Sequence, residues 1–281
     1  MRLGDAATGP IETLVGRNAR SLGVDRTGTG SPRACDDVLV ISGVPDREYA
    51  LPRALASLAD GRTKRTVWRN ELGGLTFEVG AGSDRFFVKW APMGSGLDLT
   101  AEEQRLVWAA PYVRVPAVLG SGHDDDGSWL MTTPVPGRSA VDPKWVAQPE
   151  WAVRAIGIGL RQLHDRLPLE TCPFSWSVAD RLARVSDPDA VRVVPEIDRL
   201  VVCHGDPCSP NTIVADDGSV AGHVDFDSLG VADRWADLAI ATLATQWNYG
   251  PGWENALLDA YGIAADRDRI DYYRWLWNLR G

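Results

Sequence analysis

No stretch of this chain approaches the roughly 18 consecutive apolar residues that a membrane-spanning helix needs, and its N-terminus lacks an apolar run ending in a small-residue cleavage site. A cytoplasmic protein without a membrane partner is expected. Cysteine is scarce: Cys35, Cys172, Cys203 and Cys208 are the four present among 281 residues. So few, without a dense pattern, exclude a disulfide-built scaffold and predict reduced, structural thiols. Cys203-His204 and Cys208 are neighbours in sequence, but no second pair follows at zinc-ligand spacing, and an aspartate and two prolines are interleaved with them. A thiol-bound metal is not expected. Basic charge is also short, with 29 Lys and Arg against 38 Asp and Glu and a net charge of −9. That balance argues against a nucleic-acid-binding surface and favours a neutral or cationic partner; it leaves oligomeric state unspecified.

The length suffices for a substantial core and for two lobes meeting at a cleft. Residues 1–37 are rich in Gly, Arg, Ser and Thr and keep neither strand nor helix period, so they read as an accessory arm outside the core. Val38 to Ser42 is a short β-branched run, and Leu51-Pro52 opens a helical pattern through Leu55 and Leu58 that Gly61 ends. From Thr66 the pattern is that of strands: Thr66 to Glu71, Leu75 to Val79 and Arg85 to Trp90 form an antiparallel meander. Its first turn carries Gly73 and Gly74. Such a pair either makes an ordinary hairpin turn or brings backbone N–H groups up to a phosphate, because no Cβ intervenes.

Lys89 sits inside the apolar strand Phe86-Phe87-Val88-Lys89-Trp90, where a lysine needs a partner or a solvated face. Thr100-Ala-Glu-Glu103 is a capping-box pattern for a helix from Glu102 to about Ala110. Glu102 or Glu103 could reach Lys89 from its first turns, or simply complement the helix start. Two further strands, Val113 to Leu119 and Ser128 to Thr133, flank Asp124-Asp125-Asp126-Gly127, a solvated hairpin tip. Thr133-Pro-Val-Pro-Gly137 breaks regular structure and marks a hinge between an N-terminal lobe, 38–133, and a C-terminal lobe, 134–281. Beyond it the chain turns helical. Ile156, Leu160, Leu163 and Leu167 form a buried stripe flanked by a structural His164, a helix follows near Val178 to Val185, and Trp235 to Trp247, Trp253 to Tyr261 and Arg267 to Leu279 are three more. The class is α+β.

The chemistry concentrates between Val201 and Asp225. In phosphoryl transfer from a nucleotide, a protein positions the acceptor oxygen in line with the γ-phosphate and arranges Mg²⁺ to neutralise charge there. That needs a carboxylate for the acceptor hydroxyl, an amide a few residues on for metal, and a second metal carboxylate downstream. Asp206, Asn211 and Asp225 stand in that order, and His204-Gly205-Asp206-x-x-x-x-Asn211 has the spacing of the kinase catalytic loop with Gly in place of Arg. The alternative is an Asx-type turn around Pro207 and Pro210.

The stretches CHGDPCSPNTIV and GHVDFDSLGVADRWADLAIAT, with FFVKW, EEQRLVW and the closing IDYYRWL, resemble the aminoglycoside phosphotransferases, most closely the 3'-phosphotransferase branch, from Trp68 to the C-terminus. The resemblance implies a bilobal, protein-kinase-like fold that binds ATP or GTP between its lobes and phosphorylates a hydroxyl of a small-molecule antibiotic. It implies Lys89 on the nucleotide phosphates with Glu102 as its ion-pair partner, Asp206 as the catalytic carboxylate, and Asn211 and Asp225 on Mg²⁺. The loop with Gly73 and Gly74 would cover the phosphates, and Thr132, Thr133 and Val135 would face the purine. Family members bind a polycation through acidic clusters. Here the corresponding stretches read Leu243 to Trp247 and Trp275 to Arg280, with Trp277 and Asn278 where an acidic pair is usual, and Asp227-Ser228 replaces Gly-Arg. A less charged acceptor, such as a macrolide or a metabolite alcohol, and a nucleotide-binding protein without turnover are the competing expectations.

Overall fold

In the computed structural model, the described residues are 43–183 and 192–279. The β-branched run at 38–42, the arm at 1–37 and Cys35 lie outside them. Leu51 to Gly61 forms a 3-10 helix, Arg53–Ala59, and not an α-helix; it seals the sheet with the fully buried Leu55.

Five antiparallel strands follow in the order β1-β2-β3-β5-β4: β1 Lys64–Arg69, β2 Leu75–Val79, β3 Phe86–Pro92, β4 Val118–His123 and β5 Gly127–Thr132. Strand period places Leu75, Phe77, Val79, Phe86 and Val88 on one face, where they pack with Leu55, Tyr49 and Leu51. Lys89 points the other way, directly opposite Leu130 of β5. That face receives α1, Leu99–Ala109, which brings Leu106 and Ala109 against Leu130. The helix begins earlier than the Thr100 capping box implies: the Asp98 carboxylate accepts the Ala101 N–H at 3.0 Å and is the N-cap. The strand expected at Val113 to Leu119 begins only at Val118, because Pro116 has no N–H for a ladder. Gly120 and Gly122 then give room to the ring of Trp129, against which a Cβ at 122 would sit within 2.5 Å.

After β5, Thr133 to Gly137 carries the chain into β6, Arg138–Ser139, which pairs with β8, Thr212–Val214, in a three-stranded sheet completed by β9, Val220–His223. β7, Leu200–Cys203, pairs with β10, Gly230–Asp233. The helices are α2 Pro143–Val146, α3 Pro149–Arg166, α4 Val178–Leu182, α5 Trp235–Tyr249, α6 Glu254–Tyr261 and α7 Arg267–Trp277. The anticipated stripe on α3 is buried throughout, from Ile156 to Leu167. Its last two members, Leu163 and Leu167, join Leu106, Leu130, Val202, Phe226 and Leu229 in a cluster that fastens α1 and the five-stranded sheet to the helical part. This is the two-lobed α+β arrangement that the resemblance implies. None of its described helices is long and apolar enough to cross a membrane.

The C-terminal part is built on close backbone approach. At Gly157 of α3 a Cβ would lie 2.5 Å from the Leu257 carbonyl oxygen and 2.8 Å from the Ala260 Cβ on α6. Backbone cannot yield as a side-chain tip can, so Gly157→Val is expected to destabilise the protein by about 1–3 kcal/mol, read as a lower midpoint in urea unfolding.

Candidate active site

Lys89 meets its partner on α1. Its Nζ lies 2.7 and 2.9 Å from the two oxygens of Glu102 and 2.5 Å from Asp225 Oδ1. Of the two candidate glutamates, Glu102 is therefore the one engaged, and only 3% of it is exposed. Burial works against the Lys89 ammonium, but Asp225 and Glu102 outweigh it and hold the group well above the usual lysine range. One ammonium cannot fully compensate two carboxylates. Burial pushes Glu102 up to about 7 despite Lys89, whereas at Asp225 Lys89 overcomes burial and the carboxyl stays below its ordinary value.

The loop after β7 holds Asp206 and Asn211. Asn211, in a 3-10 turn at Ser209–Asn211, donates its amide N–H to the Asp206 carbonyl at 2.9 Å and to Asp206 Oδ2 at 3.4 Å. Its own carbonyl accepts the Val224 N–H at 3.0 Å, so pairing of β8 with β9 sets Asp225 beside it. Asp225 is the single non-glycine residue with positive φ among those described, at 69°, a strained conformation of the kind found at functional sites. Phe226 behind it is fully buried. Burial, with the charge of Asp225, raises the Asp206 carboxyl above its ordinary range. Asp206 Oδ1 is buried and has no nitrogen or oxygen donor within the protein.

Gly205 explains why the loop reads His-Gly-Asp. Its φ is +86°, and a Cβ there would overlap the Ser228 carbonyl oxygen and approach Trp176 to 2.8 Å. The Trp176 indole N–H donates to the Gly205 carbonyl at 3.2 Å. The residue that anchors this turn escaped sequence reasoning: Asp237 of α5, fully buried, accepts the N–H groups of His204 at 2.6 Å and Gly205 at 2.9 Å. His164 Nε2 lies 3.0 Å from the same carboxylate. Burial opposes its ionisation, yet His164 and these donors hold Asp237 below the usual carboxylate range. Hydrogen bonds to a charged group contribute about 1.5–3 kcal/mol each, enough to keep such a carboxylate ionised. Its signal was a lone Asp in the apolar run Trp-Ala-Asp-Leu-Ala-Ile of α5.

The remaining anticipated residues lie in the five-stranded sheet and the segment after it. The Gly73 N–H donates to the Asn70 carbonyl at 3.1 Å, and the Leu72 and Gly74 N–H groups donate to Asn70 Oδ1 at 3.1 and 2.7 Å. The turn thus closes on Asn70, and its N–H groups are not presented to a phosphate. Thr132 lies in β5 opposite Phe87 and Val118, and the Thr133 N–H donates to the Ala117 carbonyl at 2.9 Å. Val135 is buried, and between Pro134 and Pro136 it carries the sole backbone N–H of that tripeptide. Glu254 on α6 is taken up by Arg274 at 2.7 Å and Arg267 at 3.2 Å.

Gly205→Ala tests the loop. The added methyl forces φ out of the left-handed region and against Ser228, and the expected cost is about 1–3 kcal/mol of stability together with loss of turnover, measured by thermal melts and steady-state assays on one preparation.

Lys89, Glu102, Asp225, Asn211 and Asp206 thus converge where the five-stranded sheet and α1 face the loop after β7. Comparison with known proteins finds relatives over most of the chain. The model of the phosphotransferase enzyme family matches residues 55–193 and 192–273. An aminoglycoside 3'-phosphotransferase of Streptomyces fradiae is 34% identical over 221 residues, 66% of this chain and 81% of the relative. The crystal structure of a type VIII aminoglycoside-3'-phosphotransferase superposes with a TM-score of 0.67 at 30% identity, covering 80% of this chain and 96% of that one. The aminoglycoside phosphotransferase APH(3'')-Id of Streptomyces rimosus, in complex with ADP and streptomycin, gives 0.56 at 30% identity over 72% and 88%. The chain belongs to the aminoglycoside phosphotransferase family and is a small-molecule O-phosphotransferase.

Proposed function

We propose that this enzyme transfers the γ-phosphate of ATP or GTP to a hydroxyl of an aminoglycoside, with residues 38–133 serving the nucleotide and 134–281 the acceptor. The observation that carries the reading is Asp206 Oδ1, buried without a nitrogen or oxygen donor, on a carboxylate whose one thiol neighbour is Cys208. A carboxylate oxygen in that state is costly unless a ligand donor completes it, and an acceptor hydroxyl does so while Asp206 takes its proton. Asn211 spends its N–H on Asp206, which leaves its amide oxygen as the atom to hold a metal. Two hard oxygen donors, one just before β8 and one just after β9, suit Mg²⁺. Bound there, the ion would neutralise charge on the transferring phosphoryl group. Lys89, oriented by Glu102, would contact the nucleotide phosphates. The loop with Gly73 and Gly74 would close over them only on releasing N–H groups from Asn70. Val135 would supply the N–H facing the purine, with Thr132 and Thr133 lining its plane.

One observation favours a less charged acceptor. Trp247 and Trp277 pack with ring centroids 5.8 Å apart, and Glu254 is neutralised by two arginines. Aromatic residues in the stretches where the resemblance implies acidic clusters suit the face of a neutral ring better than they suit a polycation.

Asp206→Ala is expected to lower kcat by about 10²–10⁴-fold while nucleotide affinity, followed by calorimetry, is retained; full transfer by this variant would overturn the assignment. Since only the ionised carboxylate accepts a proton and its pKa is raised, kcat/KM should rise with pH through a limb lying above the ordinary aspartate value. An ADP-release panel of aminoglycosides, macrolides and metabolite alcohols, run with both nucleotides, decides the acceptor. Turnover with macrolides and none with aminoglycosides would select the second reading.

A further inference from the structure

Asp237 holds the catalytic loop by its backbone, and what holds Asp237 comes from two other helices. His164 of α3 lies with its side chain wholly buried, Nε2 at 3.0 Å from Asp237 Oδ2 and Nδ1 at 2.9 Å from the hydroxyl of Tyr261, the last residue of α6. An ionised carboxylate at that distance requires N–H on Nε2, so in the neutral ring Nδ1 is the acceptor and the Tyr261 O–H donates to it. The chain then runs from Tyr261 O–H to His164 and from His164 N–H to Asp237 Oδ2, which also accepts the His204 N–H while Oδ1 accepts that of Gly205, and the Tyr261 oxygen has Arg234 as a second partner.

The far end of the chain is rigid. Tyr261 is 1% exposed and closes α6 before Gly262, whose N–H bonds back to Leu258 and Asp259. A Cβ at Gly157 would lie 3.1 Å from the Tyr261 backbone nitrogen, so α3 and α6 approach closely about two turns before His164. The Tyr261 ring is held as well, edge-on to His164 and with Arg161 5.7 Å from its centroid. A phenyl ring in its place keeps these contacts and loses only the hydroxyl, with its bond to His164 and its contact with Arg234, which retains Asp198. His164 Nδ1 is then left buried and unpaired, the imidazole loses the bond that fixes its tautomer, and Asp237 loses a fixed donor.

We infer that Tyr261 and His164 are positioning residues for phosphoryl transfer, a hydrogen-bonded relay through which α6 and α3 set the orientation of the loop backbone that carries Asp206. The inference rests on Asp206 facing the acceptor hydroxyl. A small rotation of the His204-Gly205 peptide swings that carboxylate out of line, and sub-ångström displacement of a catalytic group costs rate without costing affinity.

The test compares Tyr261→Phe, His164→Ala and His164→Gln with the parent enzyme for kcat, KM of nucleotide and of acceptor, and thermal midpoint. Asp206→Ala is carried as a reference. Expected are kcat values lowered on the order of tenfold in Tyr261→Phe and His164→Ala, with both KM values within about twofold. His164→Gln, whose side-chain N–H can still reach Asp237, should recover most of the His164→Ala loss. Parental kcat in Tyr261→Phe, or a loss that merely follows the folded fraction, overturns the relay. Should His164→Ala not fold, Tyr261→Phe decides alone. An active Asp206→Ala would show that the reading of Asp206 fails, whereas an inactive Asp206→Ala beside a fully active Tyr261→Phe shows that only the relay does.

Discussion

A single ammonium ties the site together. Lys89 belongs to the middle strand of the sheet, Glu102 to the helix laid across it and Asp225 to the segment leaving β9, and the Lys89 Nζ lies within 2.9 Å of all three carboxylate oxygens it contacts. The sheet has its own apolar face over Leu55 and the helical part its own core around α3 and α5. What relates their polar faces is the sharing of this charge, and it is an unequal sharing. With two negative groups and one positive, the less accessible Glu102 bears the cost of burial while Asp225, in its strained conformation, remains ionised. A carboxylate kept anionic at the edge of a cleft is available to a cation.

The second half of the site depends on backbone rather than on charge. The loop after β7 turns through a left-handed Gly205, is pinned by two N–H groups to Asp237, and receives the Trp176 indole on the Gly205 carbonyl. Asn211 then ties the end of the loop back to Asp206. Asp206 itself needs little direct support, because the peptide units on either side have no freedom. This is preorganisation in the sense that the cost of orientation is met on folding.

Residue patterns carried much of this, and the failures share a cause. Alternation in Leu75, Phe77 and Val79 located a strand and its buried face, the stripe from Ile156 to Leu167 located α3, and spacing alone brought Asp206, Asn211 and Asp225 into order. Lysine in an apolar strand announced the need for a partner, although two adjacent glutamates were open until α1 turned Glu102 inward. Contacts that depend on residues far apart in the chain were not legible. Nothing near Asp237 announces that it will meet residues 204 and 205, nothing near Glu254 announces Arg274, and the capture of the glycine-turn N–H groups by Asn70 is a choice among neighbours that only geometry settles. Local details slipped where a nearby residue competed more effectively, Asp98 for the helix cap and Pro116 against an early strand.

The left-handed turn at residue 205 has one more consequence. In protein kinases the corresponding position carries an arginine beside the catalytic aspartate, and phosphorylation orders their activation loops through new arginine–phosphate pairs. Here the Ser228 carbonyl occupies the space that any side chain would need. A position that admits no side chain admits no cation to answer a regulatory phosphate. The backbone at residue 205 is thus held by packing against residue 228 and not by a charge that modification could supply.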